Sequence, residues 1–514
     1  MRFYETYLLG REQIENRKSV IVTSETQLRC LGYKLYDVME FAFDTETNTV
    51  DWCNADNPYF KIVGISISFG VNDSYYIPIG HRFDPTPQLP LKTIVRHLRP
   101  AFERTDVTIV GHNIKYDMHV MKRIGIEIKT PYIFDTMIAS WLCNENVDKG
   151  LKPNVLRIFN HQMEKFNDVV ATVPKEIKKK AGLKANQKAT FDLTMIGDSA
   201  NYATEDAFFT FMLYLHYLEE LEITGMTKIY YKMYPPFIRI LYDMEERGIT
   251  IDKEACAEMN EKMQEDIEDL EYQMLELVGV DFDINSSQQL AQLLFGYDGF
   301  KTVNQDLLDV NFGFPVQSRT AKGVPQTNNA TLVAISRMEY KNSNKIMGVK
   351  FCNLLLKHKE LSKLKTFTQK FLEVCYPDGK IHCSFNPTGT TSGRVSASNP
   401  NLQQIPNAGE EDAYNIRSLF VGDIDDYDQE DIISCDYSNL EVRVMAHFSK
   451  DEGLLNAFEH KVDLHGNTAK LMFRLDCDAN EVKKKYPKFR KMGKVIAFLL
   501  QYGGSVMALE STLN

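Results

Sequence analysis

A multidomain protein of the α/β and α+β classes is what this sequence predicts, on three observations. Its 514 residues are too many for one core and suggest two to four domains of ~100 to 200 residues each. In the first part of the chain, short apolar runs at residues 20–22 and 107–110 each lead into residues at helical spacing, the strand-then-helix order of an α/β domain. In the second part, residues 253–277 and 336–376 mix apolar and charged side chains at helical spacing over long stretches.

Composition is that of an ordinary soluble globular protein, and the net charge of -11 is unexpected for a nucleic-acid binder, which needs Lys and Arg against phosphate. The basic residues gather instead at 175–184, 357–365 and 483–494, while acid-rich runs at 261–276 and 423–431 read as solvated faces. Nine scattered cysteines form neither a Cys-x-x-Cys pair nor a cluster with His, which argues against a zinc site or a disulfide framework and for a reducing cytoplasm. No stretch reaches the ~18 apolar residues of a membrane span, and residues 1–10 lack the order of a signal peptide. The expectation is a cytoplasmic protein with no membrane partner.

Taken in order, residues 20–22 form a strand, and Ser24-Glu25-Thr26-Gln27 is a capping box that opens a helix through about Tyr36. Phe41 and Phe43 alternate as on a half-buried strand, and period two then sets Asp44 and Glu46 on one face near its end. Two carboxylates so placed repel unless something cationic lies between them. Residues 62–69 and 74–79 make a hairpin through a turn containing Asn72-Asp73. The strand at 107–110 ends in Gly111-His112-Asn113, after which helical spacing through Met121 places Asp117 on the first turns. Tyr202 and Asp206, four residues apart, share one side of an apolar helix that opens at Tyr202 and continues through Leu215. Four acids from three elements thus converge.

Asp-x-Glu, Asn-x-x-x-Asp and Tyr-x-x-x-Asp in this order, with Phe134-Asp135-Thr136-Met137 and Gly150-Leu151-Lys152 between the second and third, resemble the proofreading 3′-5′ exonuclease domain of family A DNA polymerases. The resemblance covers residues 19–221 and implies a ribonuclease H-like fold. It further implies two Mg2+ or Mn2+ ions, one held by Asp44, Glu46 and Asp206 and the other by Asp44 and Asp117. Two ions ~3.5 to 4 Å apart activate a water and stabilise the leaving oxygen of a phosphodiester. Tyr202 would orient that water, and Asn113 would lie near the terminal nucleotide.

Beyond residues 224–247, which lead out of the first domain with Gly248 as the stop, Ile284-Asn285-Ser286-Ser287 marks where a further helix begins. The polar stretch 320–329 reads as an exposed loop, and the basic residues 357–365 as a helix that either lies along a duplex or presents an ordinary solvated face. In Thr391-Ser392-Gly393-Arg394 and Asn401-Leu402-Gln403-Gln404, small residues allow close backbone approach while Arg394, Asn401, Gln403 and Gln404 present donors. Every base pair offers a minor-groove acceptor to such donors. Residues 432–449 then bring an apolar run to a single carboxylate, Asp436, and turn into a helical pattern. Magnesium takes one or two protein carboxylates plus phosphate oxygens, so Asp436 calls for a partner carboxylate and a polyphosphate substrate. Finally, Arg490, Lys494, Phe498 and Tyr502 recur every four residues along one helix, with cations for phosphates at one end and rings for a base at the other.

These segments resemble, in turn, the thumb, the primer-binding motif, the first palm motif and the O helix of the fingers in family A DNA polymerases. The resemblance implies that Arg394 contacts the primer end, Asp436 ligates metal, Glu441 crowds a ribose 2′-hydroxyl, and His465 approaches a nucleotide phosphate. Gln404 stands where the family has asparagine, and Ala497 and Leu499 where it commonly has asparagine and glycine. The implied division is 1–222 exonuclease domain and 223–514 incomplete polymerase right hand, with thumb 252–376, part of the palm 377–450 and part of the fingers 451–514. The family's second palm aspartate, in a His-Asp-Glu tripeptide, does not occur before Asn514. The expectation is therefore the N-terminal portion of a bacteriophage-like, split-gene DNA polymerase. Its partners would be primer-template DNA, single-stranded 3′ ends, dNTP-Mg2+ and a second chain completing the palm. A stand-alone exonuclease whose second half only grips DNA, and a non-catalytic DNA-binding scaffold, are the alternatives.

Overall fold

A computed structural model of the chain describes residues 18–49, 60–70, 73–184, 186–407, 413–423, 430–505 and 509. It divides into two compact units, Met1–Asp431 and Ile432–Asn514, with the boundary inside the segment expected as palm. The first unit is built on a six-stranded sheet in the order β1-β4-β3-β2-β5-β6: β1 Ser19–Ile21, β2 Glu40–Thr47, β3 Ile62–Gly70, β4 Asp73–Pro78, β5 Thr108–Gly111 and β6 Ile133–Asp135. Strand β2 runs antiparallel to β3 and parallel to β5, so it lies inside the sheet, and Phe41, Ala42 and Phe43 are all buried rather than alternating. Both phenylalanine rings meet Phe102 edge-on at 5.0 and 5.1 Å. Each contributes about 1.5–3 kcal/mol on burial.

Helix α1, Glu25–Asp37, opens with the expected capping box, Ser24 Oγ accepting from the Gln27 amide. β3 and β4 pair as the expected hairpin, while Asn72 of its turn lies outside the described residues, as do residues 1–10 and much of the acidic run 423–431. Further helices of this part are α2 Leu91–Phe102, α3 Ile114–Arg123, α4 Thr136–Cys143 and α5 Leu151–Phe159. Helix α6, Ile196–Ile223, is longer at both ends than the spacing from Tyr202 to Leu215 suggests. Its added first turns are held because Ile196, Ala200 and Ala203 pack with Val63, Tyr76 and Phe191, a contact made by tertiary structure and not visible in local pattern.

Helix α7, Thr227–Arg247, ends where Gly248 takes φ 65°, as expected of the stop. A Cβ there would come within 2.7 Å of the His382 ring, so conformation and space both require glycine. Helices α8 Lys253–Val278, α9 Ser287–Phe295 and α10 Ser343–Val374 surround a core of Leu290, Leu293, Phe312, Phe351 and Leu355. The loop 320–329 is less open than its composition suggests: Pro325 and Thr327 are buried, and Lys359 of α10 donates to the Thr327 carbonyl. Lys365 is likewise turned inward, onto Gln264, so only Lys357 and Lys363 of the basic run remain for an outside partner. Short strands β7 Ile249–Thr250 and β8 Lys380–Ile381 pair antiparallel, as do β9 Ser384–Asn386 and β10 Ser396–Ser398.

Glu245, 1% exposed, ties these parts together. Its carboxylate accepts from Lys115 Nζ and from the Phe385 amide at 2.5 Å, and lies 2.7 Å from His119 Nε2. Its carbonyl meets His382 Nδ1 at 2.7 Å. Helix α3 and strand β9 are thereby joined through α7. The loop between β9 and β10 is also seated on the first domain, since Trp141 Nε1 donates to the Thr390 carbonyl at 3.0 Å and Lys149 Nζ to that of Thr388.

In the second unit, residues 432–437 form no strand, and helix α11, Leu440–Ser449, presents Leu440, Val444 and Phe448 to solvent on one stripe. Helices α12 Leu464–Phe473 and α13 Pro487–Gln501 pack together around Ala469, Gly493 and Ile496. The eight described cysteines are all free. No helix among the described residues is long and apolar enough to cross a membrane.

Replacing Glu245 by alanine strands the Lys115 ammonium and an amide in a buried space. Urea titration should show a loss of about 3–5 kcal/mol for Glu245→Ala.

Candidate active site

Asp44 and Glu46 share one face of β2, and α6 brings Asp206 against them so that one carboxylate oxygen from each lies within 4.8 Å of the others. This is the one group of three or more potential metal ligands among the described residues. Asp117, on the first turn of α3, approaches through Thr45: its Oδ1 accepts from the Thr45 amide at 2.9 Å and from Thr45 Oγ1 at 2.6 Å. Tyr202, one turn before Asp206, is buried and its ring lies 5.8 Å from that of Phe191. Asn113 precedes α3 in the left-handed conformation, φ 62°, with its side chain exposed and its amide donating to Asp135 Oδ1. Asp135 also accepts from the amides of Ile114, Met137 and Ile138, which fixes the start of α3 and α4 together.

Such crowding has an electrostatic signature. Burial, then Asp117, Glu46 and Asp206, push the Asp44 carboxyl well above its ordinary range, and burial with Asp206 does the same to Glu46. Burial raises Asp117 to about 7 against the two hydrogen bonds from Thr45. Burial and the neighbouring acids also push the Tyr202 phenol far up, so it stays a neutral donor. Glu46 Oε1 is buried with no hydrogen-bond partner among the described residues. A buried, unsatisfied carboxylate oxygen facing two further carboxylates is completed by a cation, and an all-oxygen donor set suits Mg2+ or Mn2+.

The second set of candidates is only partly assembled. Arg394 is exposed on the β9–β10 loop, whose Thr390 hydroxyl donates to the Arg394 carbonyl at 2.7 Å. Asn401 caps a single helical turn, Leu402–Gln404, accepting from the Gln403 amide, and leaves Gln403 and Gln404 exposed. In the second unit, Asp436 is exposed and belongs to no group of three ligands among the described residues. His465, Arg490, Lys494 and Phe498 do come together: the His465 and Phe498 rings are 5.7 Å apart, and Lys494 Nζ is 5.9 Å from the Phe498 ring. Arg490 grips Asp463 with two bonds, 2.5 and 3.1 Å, so the guanidinium expected to meet phosphate is held by a carboxylate here. Burial, Arg490 and Lys494 hold His465 below its usual range, favouring the neutral ring. The Tyr502 hydroxyl donates to Glu441.

Sequence reading passed over Thr45, whose place between two acids in β2 was the available signal, and gave no role to Lys152. That side chain stands over the Tyr202 ring at 4.1 Å, and its charge opposes the upward push on Asp44 and Glu46.

Comparison with known proteins gives two family matches. Residues 19–222 match the family model for 3′-5′ exonuclease, and residues 253–514 that for DNA polymerase family A. Among similar proteins, DNA polymerase I of Borreliella burgdorferi is 29% identical over 502 residues, which is 97% of this chain and 49% of that protein. DNA polymerase I of Chloroflexus aurantiacus is 31% identical over 497 residues, 96% of this chain and 48% of that protein. The chain spans about half the length of these relatives. The polymerase domain of Pol1 from M. smegmatis, solved with DNA primer-template and dNTP, shares the fold with a TM-score of 0.72, covering 96% of this chain and 73% of that one at 21% identity.

The pH dependence has a definite sign. Asp117 holds its proton to about 7 when folded and to about 3.8 when unfolded, so between these values the folded chain binds more protons and loses stability as pH rises. A cation that relieves the repulsion acts only on ionised carboxylates. Millimolar Mn2+ should therefore raise the melting temperature more at pH 8 than at pH 5, and Asp117→Asn should shrink that difference.

Proposed function

Because the chain belongs to DNA polymerase family A, a family of enzymes, and carries a 3′-5′ exonuclease domain ahead of its polymerase region, we propose that it removes nucleotides from DNA 3′ ends by hydrolysis at the β2–α3–α6 site. The observation that carries this reading is the meeting of Asp44, Glu46 and Asp206 oxygens within 4.8 Å, with Asp117 beside them. Asp44, Glu46 and Asp206 would hold one divalent ion, Asp44 and Asp117 a second. Such ions supply Lewis acidity to the attacking water and the leaving 3′ oxygen.

The protein's own residues prepare the rest. Tyr202, kept protonated by its surroundings, donates a hydrogen bond and orients water at the edge of the carboxylates. Thr45 fixes the Asp117 carboxyl by two bonds, so its direction is set before a substrate arrives. Asn113 presents its exposed amide where α3 begins, close to Asp117 in the chain, for the terminal nucleotide.

For the polymerase region the proposal is binding of primer-template DNA through Arg394, Asn401 and Gln404. Nucleotide contact falls to His465, Arg490, Lys494, Phe498 and Tyr502, with Glu441 beside the sugar. Arg490 then exchanges Asp463 for phosphate. Nucleotidyl transfer at Asp436 requires a second carboxylate beside it, since an in-line displacement between two charged oxygens uses two ions. Hydrolysis is the reading that the proximity of Asp44, Glu46 and Asp206 supports best.

The purified chain with Mg2+ should shorten a 5′-labelled single-stranded oligonucleotide one nucleotide at a time on a sequencing gel. Asp44→Ala should slow this by about 10³-fold or more, whereas Asp436→Ala should leave it unchanged. Equal trimming by Asp44→Ala and the unaltered chain would sink the assignment.

A further inference from the structure

Lys152 is neither a metal ligand nor a donor to water in the proposed hydrolysis, yet its position is built. It is the second residue of α5, and that turn is anchored by Asn154, which is fully buried. Asn154 Nδ2 donates to the Gly150 carbonyl at 2.9 Å, while its Oδ1 accepts from Ser140 at 2.9 Å and from Tyr217 at 2.7 Å. These bonds tie the start of α5 to α4 and to α6, the helix that carries Tyr202 and Asp206. From there the Lys152 ammonium reaches over the Tyr202 ring, 4.1 Å from its centre, and donates to the Glu164 carbonyl at 2.5 Å. The Glu164 amide in turn donates to Glu205, the residue before Asp206.

An ammonium over a phenol face is attracted by the ring's quadrupole, and the attraction fixes the ring as well as the cation. The same charge faces Asp44 and Glu46. It is a single positive charge beside three carboxylates, enough to moderate their repulsion and too little to replace divalent ions. A fixed cation also lowers the affinity of such a pocket for any added cation.

We propose that Lys152 is a positioning residue of the exonuclease site: it holds the Tyr202 ring in place and tempers the acid cluster, so that divalent ions bind less tightly but water is oriented correctly. The proposal rests on the hydrolytic reading of this site. It separates two effects that a merely structural side chain would move together. Losing a structural support weakens both metal binding and turnover, whereas losing this charge weakens turnover and tightens metal binding.

The experiment uses the full chain with Lys152→Gln and Lys152→Arg, beside the unaltered protein and Asp44→Ala. Mn2+ binding is followed calorimetrically, and trimming of single-stranded DNA is followed as kcat and KM. Lys152→Gln should bind Mn2+ several-fold more tightly and lose roughly tenfold in kcat with KM little changed. Lys152→Arg, which keeps the charge and the ring contact, should restore both. Unchanged kcat in Lys152→Gln, or weaker Mn2+ binding by it, overturns the proposal. Absence of trimming by the unaltered chain would overturn the hydrolytic reading instead, and the calorimetric comparison would still decide the role of the Lys152 charge.

Discussion

Like charges forced close together govern the first domain. Asp44 and Glu46 lie on an inner strand, Asp206 arrives on a helix laid across the sheet, and Asp117 comes from the next crossover. Left without a counter-ion, this arrangement costs folding free energy, and the surrounding fold must supply the difference. It does so with apolar burial on β2 itself, where Phe41 and Phe43 pack against Phe102 and Ala42 between them is fully buried. The strand anchored by these buried residues is thus the one that carries the most strained electrostatics, an association expected where rigid scaffolding holds reactive groups in place.

Elements with a local signal are legible in the sequence itself. The capping box at Ser24, the hairpin of β3 and β4, the stop at Gly248 and the start of α9 each depend on residues within a few positions of one another. The carboxylates were found by spacing: period two on a strand and period four on a helix put them on common faces. What escaped was set by distant contacts. The first turns of α6 form because Val63 and Tyr76 cover them, and the loop at 320–329 folds inward because Lys359 reaches it. Lys152 stood in view in the sequence, but nothing local says that its ammonium lies over a ring fifty residues later.

Charge reading fared unevenly for a related reason. A lysine-rich helix looks like a surface for phosphate, yet Lys359 and Lys365 end on a carbonyl and an amide within the fold. Arg490 is similarly engaged with Asp463. Long cationic side chains choose among partners that lie within several ångströms, so a composition count overstates what is offered to an outside polyanion. Glu245 shows the converse: two successive glutamates in a connecting helix look solvated, yet one of them is among the least exposed side chains of the protein.

The seating of the β9–β10 loop has a spectroscopic side. Trp141 is one of only two tryptophans in the chain, is nearly buried, and gives its indole proton to the Thr390 carbonyl while Gly393 lies against its ring. Indole emission responds to the polarity and hydrogen bonding around the ring. Any lifting of the segment that carries Arg394 would remove that acceptor and admit water, shifting the emitted light to the red. The protein thus carries an intrinsic optical gauge of how firmly the β9–β10 loop rests on helix α4.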